Sequence, residues 1–525
     1  MRNNKTKKIH VFFLTLCLAF LLVCLPVFAE DEPTVIGAVS GVEYDNIADF
    51  AAAIGGDKIT VDGTTLTLTD DIDLGKSTTN KVIIYSDMTI DLAGHHLTGS
   101  VKGSSAYLLY INQEGCTVTI TDSVSGAFIQ NITDGYCKVI CANKGTLIID
   151  GTKIIGKSTA EYRYGEVFEY PCTVLTDNSS KSTIILQNGA QIFADCGDSP
   201  VIIATGIEQA NYSTLILRNC IIDVQSGNDG IGIATAKLSE TEIDRDDADS
   251  SDIERPSINV NCTGTNITSA AQGYGIKGNG NVSVRNCDIT VTGADAPYAI
   301  TCYGIFENNG SLRNDGELNI QGNVHISIEN ENSVSGVRGY GIYYSTTSAK
   351  MKGHDVSIIV NCPFANGAYG IYSDSSHDFI IEPEGDDTKV QVSGLLEGTF
   401  SPAYAKSNGK IRIDLGWYLG GSLRNAVITR GTFDYDPSEW VEEGYIAKEN
   451  TPGNGLWTVE KISTEIIPPE EETPETPETP TSDNPLTGDH GQPTLWIVLM
   501  IVAVVIIVIA VLVILKARKK DKSKE

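Results

Sequence analysis

Carboxylates at close spacing are the first residues in this 525-residue chain that could do chemistry. Asp195 with Asp198 in "DCGD", Asp229 in "GNDGIG" and the run from Asp244 to Asp252 each place acid oxygens where sugar chemistry could use them. Two carboxyl groups held a few ångströms apart hydrolyse glycosides, one as acid and the other as base or nucleophile. The run "DRDDADSSD" could instead offer hard oxygen ligands to calcium. It fails as an EF-hand, because counting from Asp244 puts Asp249 where glycine belongs and Arg255 where the bidentate glutamate belongs. His95, His96, His325, His354 and His377 are too scattered for a metal site by spacing. The expectation is therefore no cofactor, with calcium at the acidic run as the alternative and a solvated loop as the plain reading.

A second set of residues recurs. "LILRNCIIDV", "INVNCTGTNI", "VSVRNCDITV" and "IIVNCPFANG" each join an apolar strand to Asn-Cys, at Asn219, Asn261, Asn286 and Asn361. Between them runs a Tyr-Gly-Ile series at Tyr274, Tyr303, Tyr340 and Tyr369, with Tyr343, Tyr344 and Tyr372 close by. Stacked amides can bond as a ladder, and asparagine tolerates a left-handed turn. The asparagines are thus expected to be structural. The tyrosines have two readings, inward packing or an aromatic strip that binds sugar rings or a protein partner.

Positioning such repeats requires stacked short strands. The chain is rich in Gly, Asn, Ser, Thr, Val and Ile and poor in long amphipathic patterns, which is a β composition. Strands that recur at fixed spacing cannot bury their apolar face alone and must stack on neighbours about 4.8 Å away. Cys196, Cys220, Cys262 and Cys287 lie 24, 42 and 25 residues apart, and the long interval contains the insertion "KLSETEIDRDDADSSDIERP". Cysteines in one register sit at the coil spacing, too far apart for a disulfide that wants Cβ atoms about 3.8 Å apart. Buried free thiols are expected.

The ends of the chain set the compartment. "MRNNKTKK" followed by the apolar Ile9–Phe28 reads as a secretory signal cleaved after Ala29. Leu495 to Leu515 is 21 residues without a charge, long enough for a membrane-spanning helix, and six of the ten residues after it are Lys or Arg. Just before it stands "NPLTGDH". A Pro-x-Thr-Gly tetrapeptide, an apolar helix and a basic tail together resemble the cell-wall sorting signal of Gram-positive surface proteins. There a membrane transpeptidase, sortase, cleaves between Thr and Gly. The resemblance implies recognition of Asn484, Pro485, Leu486, Thr487 and Gly488, and transfer of the Thr487 carbonyl to a peptidoglycan amine. Asn484 departs from the common leucine and resembles variants read by other sortase classes. The alternative is a permanent membrane anchor through 495–515.

Upstream, "PPEEETPETPETPTSDNP" should stay extended and unpacked as an acidic stalk. The signal holds four basic residues, and the segment from Gly488 holds six basic and three acidic ones, which leaves 28 basic and 64 acidic residues over 30–487. Such a surface repels nucleic acid, anionic lipid and polyuronate.

"MTIDLAGHHLTG" resembles the opening rung of right-handed β-helix surface proteins of the pectin-lyase-like class, and "YDNIADFAAAIG" resembles their capping helix. "GTFDYDPSEWVEEGYIAKENTPGNGLWTVEK" resembles the module that closes many wall-anchored proteins of this kind. The resemblance implies an all-β, right-handed parallel β-helix with a short N-terminal capping helix, a disordered acidic stalk and a C-terminal transmembrane helix. Expected boundaries are a signal peptide at 1–29, an N-terminal segment with the capping helix at 30–80, the β-helix at 81–427, the closing module at 428–462, the stalk at 463–483 and the sorting signal at 484–525. The expected function is adhesin-like binding of an extracellular glycan or protein ligand on the wall, with sortase and peptidoglycan as processing partners. A wall-anchored polysaccharide lyase or glycoside hydrolase is the alternative. For the latter, "NDGI" matches one element of the polygalacturonase pattern, but no Gly-His-Gly accompanies it, and "KGHD" and "KIRID" match only loosely. Arg218 and Arg285 share the Arg-Asn-Cys pattern without an assignable acid cluster.

Overall fold

In the computed structural model, residues 35–160, 170–178, 182–197, 199, 202–236, 239–243, 256–262, 271–278, 281–302, 305–306, 312–313, 317–329, 338–345, 348–362, 366–382, 388–393 and 399–462 are described. The signal with Ala29, the stalk, the sorting signal and the run 495–515 lie outside these residues, as do Tyr303, Asp198 and the acidic run 244–252. Among the described residues no helix is long and apolar enough to cross a membrane.

The chain is all-β, and nearly every strand joins one sheet of 36 strands. Its order follows a simple rule, since each strand pairs in parallel with the strand one coil further on. Tyr170–Asp177, Ser182–Gln187 and Ala190–Asp195 are followed by Ile202–Glu208, which returns to lie on Tyr170–Asp177. Thr214–Leu217 then lies on Ser182–Gln187, and Cys220–Ser226 on Ala190–Asp195. Three strands per coil thus build three parallel stacks, an arrangement consistent with a β-solenoid. The first stack runs from Val82–Ile84 to Thr399–Ala405.

Alternation makes the core. In Ser182–Gln187 and Thr214–Leu217 every second residue is buried, and Ile184, Leu186, Leu215 and Leu217 are fully enclosed. Each such side chain contributes about 1.5–3 kcal/mol relative to exposure. One continuous apolar cluster collects them from Val39 to Val459.

In the first stack the alternation breaks at a fixed place. Pairing skips Gly206, Gly232, Gly275, Gly341 and Gly370, where the strand bends. A Cβ on Gly232 would lie 2.5 Å from the Gly275 carbonyl oxygen, so the next coil leaves no room for one. This close approach accounts for the glycine of Tyr-Gly-Ile.

The ends are closed. Helix α1, Ile47–Gly55, starts at Asn46, whose Oδ1 accepts the Asp49 N–H at 2.8 Å, and it buries Phe50 and Ala51. Parallel stacking begins at Thr65–Leu68 and Ile72–Ser77, earlier than the expected 81, because these short strands already pair with Met88–Asp91 and Leu97–Val101. At the other end Trp457–Lys461 pairs antiparallel with both Ala426–Phe433 and Tyr445–Glu449. Tyr435, Trp440, Tyr445 and Trp457 pack against the last core residues, so the final edge is covered.

Nine cysteines are described with their side chains, and all are buried thiols outside any disulfide. Burial pushes the thiols of Cys220, Cys262 and Cys362 up to about 12, far from thiolate chemistry.

The Asn-Cys pattern needs a correction, because one dipeptide serves two corners. Asn219 and Asn286 precede a third-stack strand in the left-handed conformation, at φ 44° and 49°. Asn261 and Asn361 instead end a third-stack strand, in register with each other but separated by Thr292 and Glu329. No asparagine of the four lies directly over another. Asn261 Oδ1 accepts from Thr292 at 3.3 Å, and Asn361 Oδ1 accepts from Ser393 at 3.0 Å. An amide-over-amide bond does occur elsewhere, from Asn143 to Asn112 at 2.7 Å.

Candidate functional site

Two side-chain columns run along the outer face of the first stack, on either side of its bend. Column one reads Lys138, Thr173, Thr205, Ile231, Tyr274, Tyr298, Tyr340, Tyr369 and Ser401 in successive coils. Column two reads Tyr110, Cys141, Thr176, Glu208, Ala234, Lys277, Thr301, Tyr343, Tyr372 and Tyr404. The isoleucines of the same strands, Ile276, Ile300, Ile342 and Ile371, belong to the main core, whereas Tyr340, Tyr369 and Tyr372 form a cluster of their own.

The C-terminal part of this face is paved with phenol rings. Tyr274, Tyr298, Tyr340 and Tyr369 stack with centroids 4.9, 4.9 and 5.3 Å apart. Tyr343, Tyr372 and Tyr404 stack at 5.3 and 5.2 Å. Edge contacts join the columns, as between Tyr340 and Tyr372 at 5.1 Å. Cations attend the pavement: Lys277 lies 4.2 Å from the Tyr274 centroid and Arg424 lies 5.0 Å from that of Tyr404. Arg338 hydrogen-bonds Tyr340, which favours its charged form.

Both readings of the tyrosines are altered by this geometry. They pack, but on each other and outside the main core. Their ring faces are occupied by neighbouring rings, so an open platform for a sugar ring is not what the strip offers. Edges and hydroxyls remain, with Tyr298, Tyr343 and Tyr404 half-buried. The rung that the motif assigned to Tyr303 is filled by Tyr298, in "PYAI", where Ala299 replaces the glycine. Tyr404 escaped for the same reason, since Pro402 stands at the bend. Register, counted from the core residue at that rung, Ile300 or Ala403, would have found both.

The N-terminal part of the face is polar and titratable. The Tyr107 hydroxyl accepts from Lys138 Nζ at 3.4 Å and from Asn178 Nδ2 at 3.2 Å. Asn178 also lies 3.3 Å from Cys141 Sγ. Burial raises both Tyr107 and Cys141, so they stay a neutral phenol and thiol. Asp177 is 2% exposed; its Oδ1 accepts the Ala210 N–H, and its Oδ2 has no partner among the described residues. Burial pushes its carboxyl up to about 7, with the Ala210 N–H and the Ser213 hydroxyl opposing and the Glu208 charge adding a smaller push. Asp177 is therefore the group of this cluster whose carboxyl titrates nearest neutrality, with the exposed Glu208 carboxylate of the next coil acting on it. Sequence spacing could not bring these residues together, because they meet only through the coil register.

The carboxylates singled out by spacing are engaged otherwise. Asp195 pairs with Lys157 at 2.6 Å, and Asp229 Oδ1 accepts the Gln272 N–H at 2.8 Å. His325 lies between Asp288 at 3.2 Å and Asp355 at 3.4 Å. His96 stacks on Phe128 at 3.8 Å, and His95 faces Asp71 at 3.8 Å. Among the described residues no group of three or more His, Cys, Asp or Glu is arranged to hold a metal. No family model, curated protein or solved structure matches this chain.

Proposed function

We propose that this is an exported surface protein of a Gram-positive wall, folded as a right-handed β-helix of the pectin-lyase-like class and joined through Thr487 to peptidoglycan by sortase. Its work there is to bind an extracellular glycan or protein ligand. The three parallel stacks support the β-helix, and the preference of parallel crossovers for one hand supports its sense. Signal, stalk, tetrapeptide, apolar run and basic tail support export and anchoring. The observation that carries the binding reading is the pavement of phenol rings from Tyr274 to Tyr404, with Lys277, Arg338 and Arg424 against it on one side of the stack.

Glycan and protein arrays probed with the full chain test it. Binding that falls at least tenfold on Tyr298→Ala and Tyr404→Ala supports the reading, and undiminished binding removes the strip from it. For anchoring, Thr487→Ala with Gly488→Ala should move the protein from the wall to the membrane fraction while secretion persists. Recovery of most mature protein with an intact C-terminus through Glu525 would overturn the sorting step and leave 495–515 as a permanent anchor.

A second reading, a polysaccharide lyase or hydrolase, is favoured by the buried Asp177 carboxyl, which feels the charge of Glu208 on the next strand of the stack. Release of reducing or unsaturated ends that disappears in Asp177→Asn would establish it.

A further inference from the structure

On the outer face of the third stack, away from the tyrosines, a pocket of about 660 Å³ is bounded by Lys76, Lys102, Thr78, Ser100, Thr159 and Ile132. Its size suits one or two sugar units. Three observations set its chemistry apart.

The first is charge. In a chain of net charge −29, Lys76 has no ion-pair partner among the described residues, while Lys102 holds Asp134 at 2.9 Å. The Lys102 hydrogen bond and charge, with a smaller contribution from Lys76, lower the Asp134 carboxyl below its ordinary value. A patch with surplus positive charge thus stands on a strongly acidic protein, where it focuses anions.

The second is an apolar exception. Lys76 pairs in register with Ser100, and Ile132 with Lys157. From Lys157 onward the same outward column is polar at every rung, through Asp195, Gln225, Asn261, Thr292 and Glu329 to Asn361 and Ser393. Ile132 alone interrupts it and stays 40% exposed on the pocket wall. A sugar ring offers an apolar C–H face that such a side chain would cover.

The third is the kind of donor. Hydroxyls of Thr78, Ser100 and Thr159 line the wall with two ammonium groups, the Asp134 carboxylate that Lys102 holds, and no guanidinium. Lysine is a point charge that meets a tetrahedral oxyanion from any side, whereas planar carboxylates are the speciality of the arginine fork.

We propose that this pocket binds a sugar bearing a tetrahedral oxyanion, either a sulfate ester or a phosphate. The site lies on a different stack from the tyrosine strip and does not depend on anchoring. It also limits the exclusion drawn from net charge, because the repulsion is not uniform over the surface.

Calorimetric titration of the full chain in detergent would use N-acetylglucosamine 6-sulfate and N-acetylglucosamine 6-phosphate, with N-acetylglucosamine and inorganic sulfate as comparators. At least one charged sugar should bind tenfold or more tighter than the neutral sugar and than sulfate alone, and the tighter of the two names the source. Lys76→Gln should weaken that binding at least tenfold, and Ser100→Phe, which fills the pocket, should abolish it, both with unchanged melting temperature. Tyr298→Ala should leave it intact, which separates this site from the ligand face proposed above. Equal binding of the neutral sugar or of inorganic sulfate, undiminished binding by Lys76→Gln and Ser100→Phe, or no binding of either charged sugar would overturn the proposal.

Discussion

The two parts of the first-stack face share one backbone and carry opposite chemistry. Between Lys138 and Glu208 the columns hold a lysine, threonines, a thiol and the Glu208 carboxylate, whereas between Tyr274 and Tyr404 they hold stacked phenols. Register and bend are the same throughout, since pairing skips Val174, Gly206, Gly275 and Gly370 alike. A solenoid therefore separates two decisions: the inward residues choose the fold, and each outward column is free to choose its surface.

The largest effect is expected where the two parts do not differ, in the interior. Val284 is fully buried in Asn281–Arg285, and Val284→Asp would force a carboxylate into the apolar core with no partner. The variant should lose cooperative melting by circular dichroism. Melting like the parent would show that the interior, too, tolerates local choice, and the separation above would fail.

Tyr340→Ala comes next and sharpens the contrast. Its ring touches both columns, stacked on Tyr298 and Tyr369 and edge-on to Tyr343 and Tyr372, so its loss should cost about 3–5 kcal/mol, as for other large buried aromatics. Thr205→Ala, at the same column position in the polar part, should cost only about 1 kcal/mol. Equal shifts in denaturant midpoint would mean that the pavement contributes no more than any buried rung.

Asp177 makes the polar part depend on pH. Its folded value of about 7 lies above the ordinary 3.8, so the folded chain keeps a proton that the unfolded chain has released. Stability contributed at this position accordingly falls as pH rises from about 4 to about 7 and is flat above. Asp177→Asn removes the titration, and it should gain on the parent between pH 5 and pH 8, by about 1–4 kcal/mol at the upper end. A melting difference that is the same at both pH values would show that the carboxyl is not buried in the ionised form's disfavour.

How much of this was legible follows from which interactions are local. Apolar alternation and the turn residues announce strands and stacking, and "YDNIADFAAAIG" announces α1, because these depend on neighbours in sequence. Asn-Cys misled because one corner needs a left-handed residue at Asn219 and Asn286 while another needs only a short polar side chain at Asn261 and Asn361. The same dipeptide satisfies both. Tyr298 and the Asp177 cluster were illegible for a different reason. Their partners lie a whole coil away, and coil length varies, so only the register of pairing brings Tyr298 under Tyr340 or Lys138 near Tyr107.

Lys277 marks the border between the two parts, and the smallest effect is expected there. It sits in column two between Ala234 and Thr301, with its ammonium over the Tyr274 ring. Burial lowers its pKa, the nearby Asp229 pulls the other way, and the ring adds a cation–π attraction of about 0.5–2 kcal/mol. Desolvation and attraction nearly offset, so Lys277→Met should change the melting temperature little at pH 7, by the equivalent of less than about 1 kcal/mol. The pH dependence carries the sign. A lysine whose folded pKa lies below its ordinary 10.5 releases its proton earlier in the folded chain, so the parent gains stability as pH rises toward 10. The methionine variant should lack that alkaline gain. A loss at pH 7 as large as that of Tyr340→Ala would instead make the cation an integral end of the tyrosine ladder, and the border would move one coil toward the N-terminus, to Ala234 and Ile231.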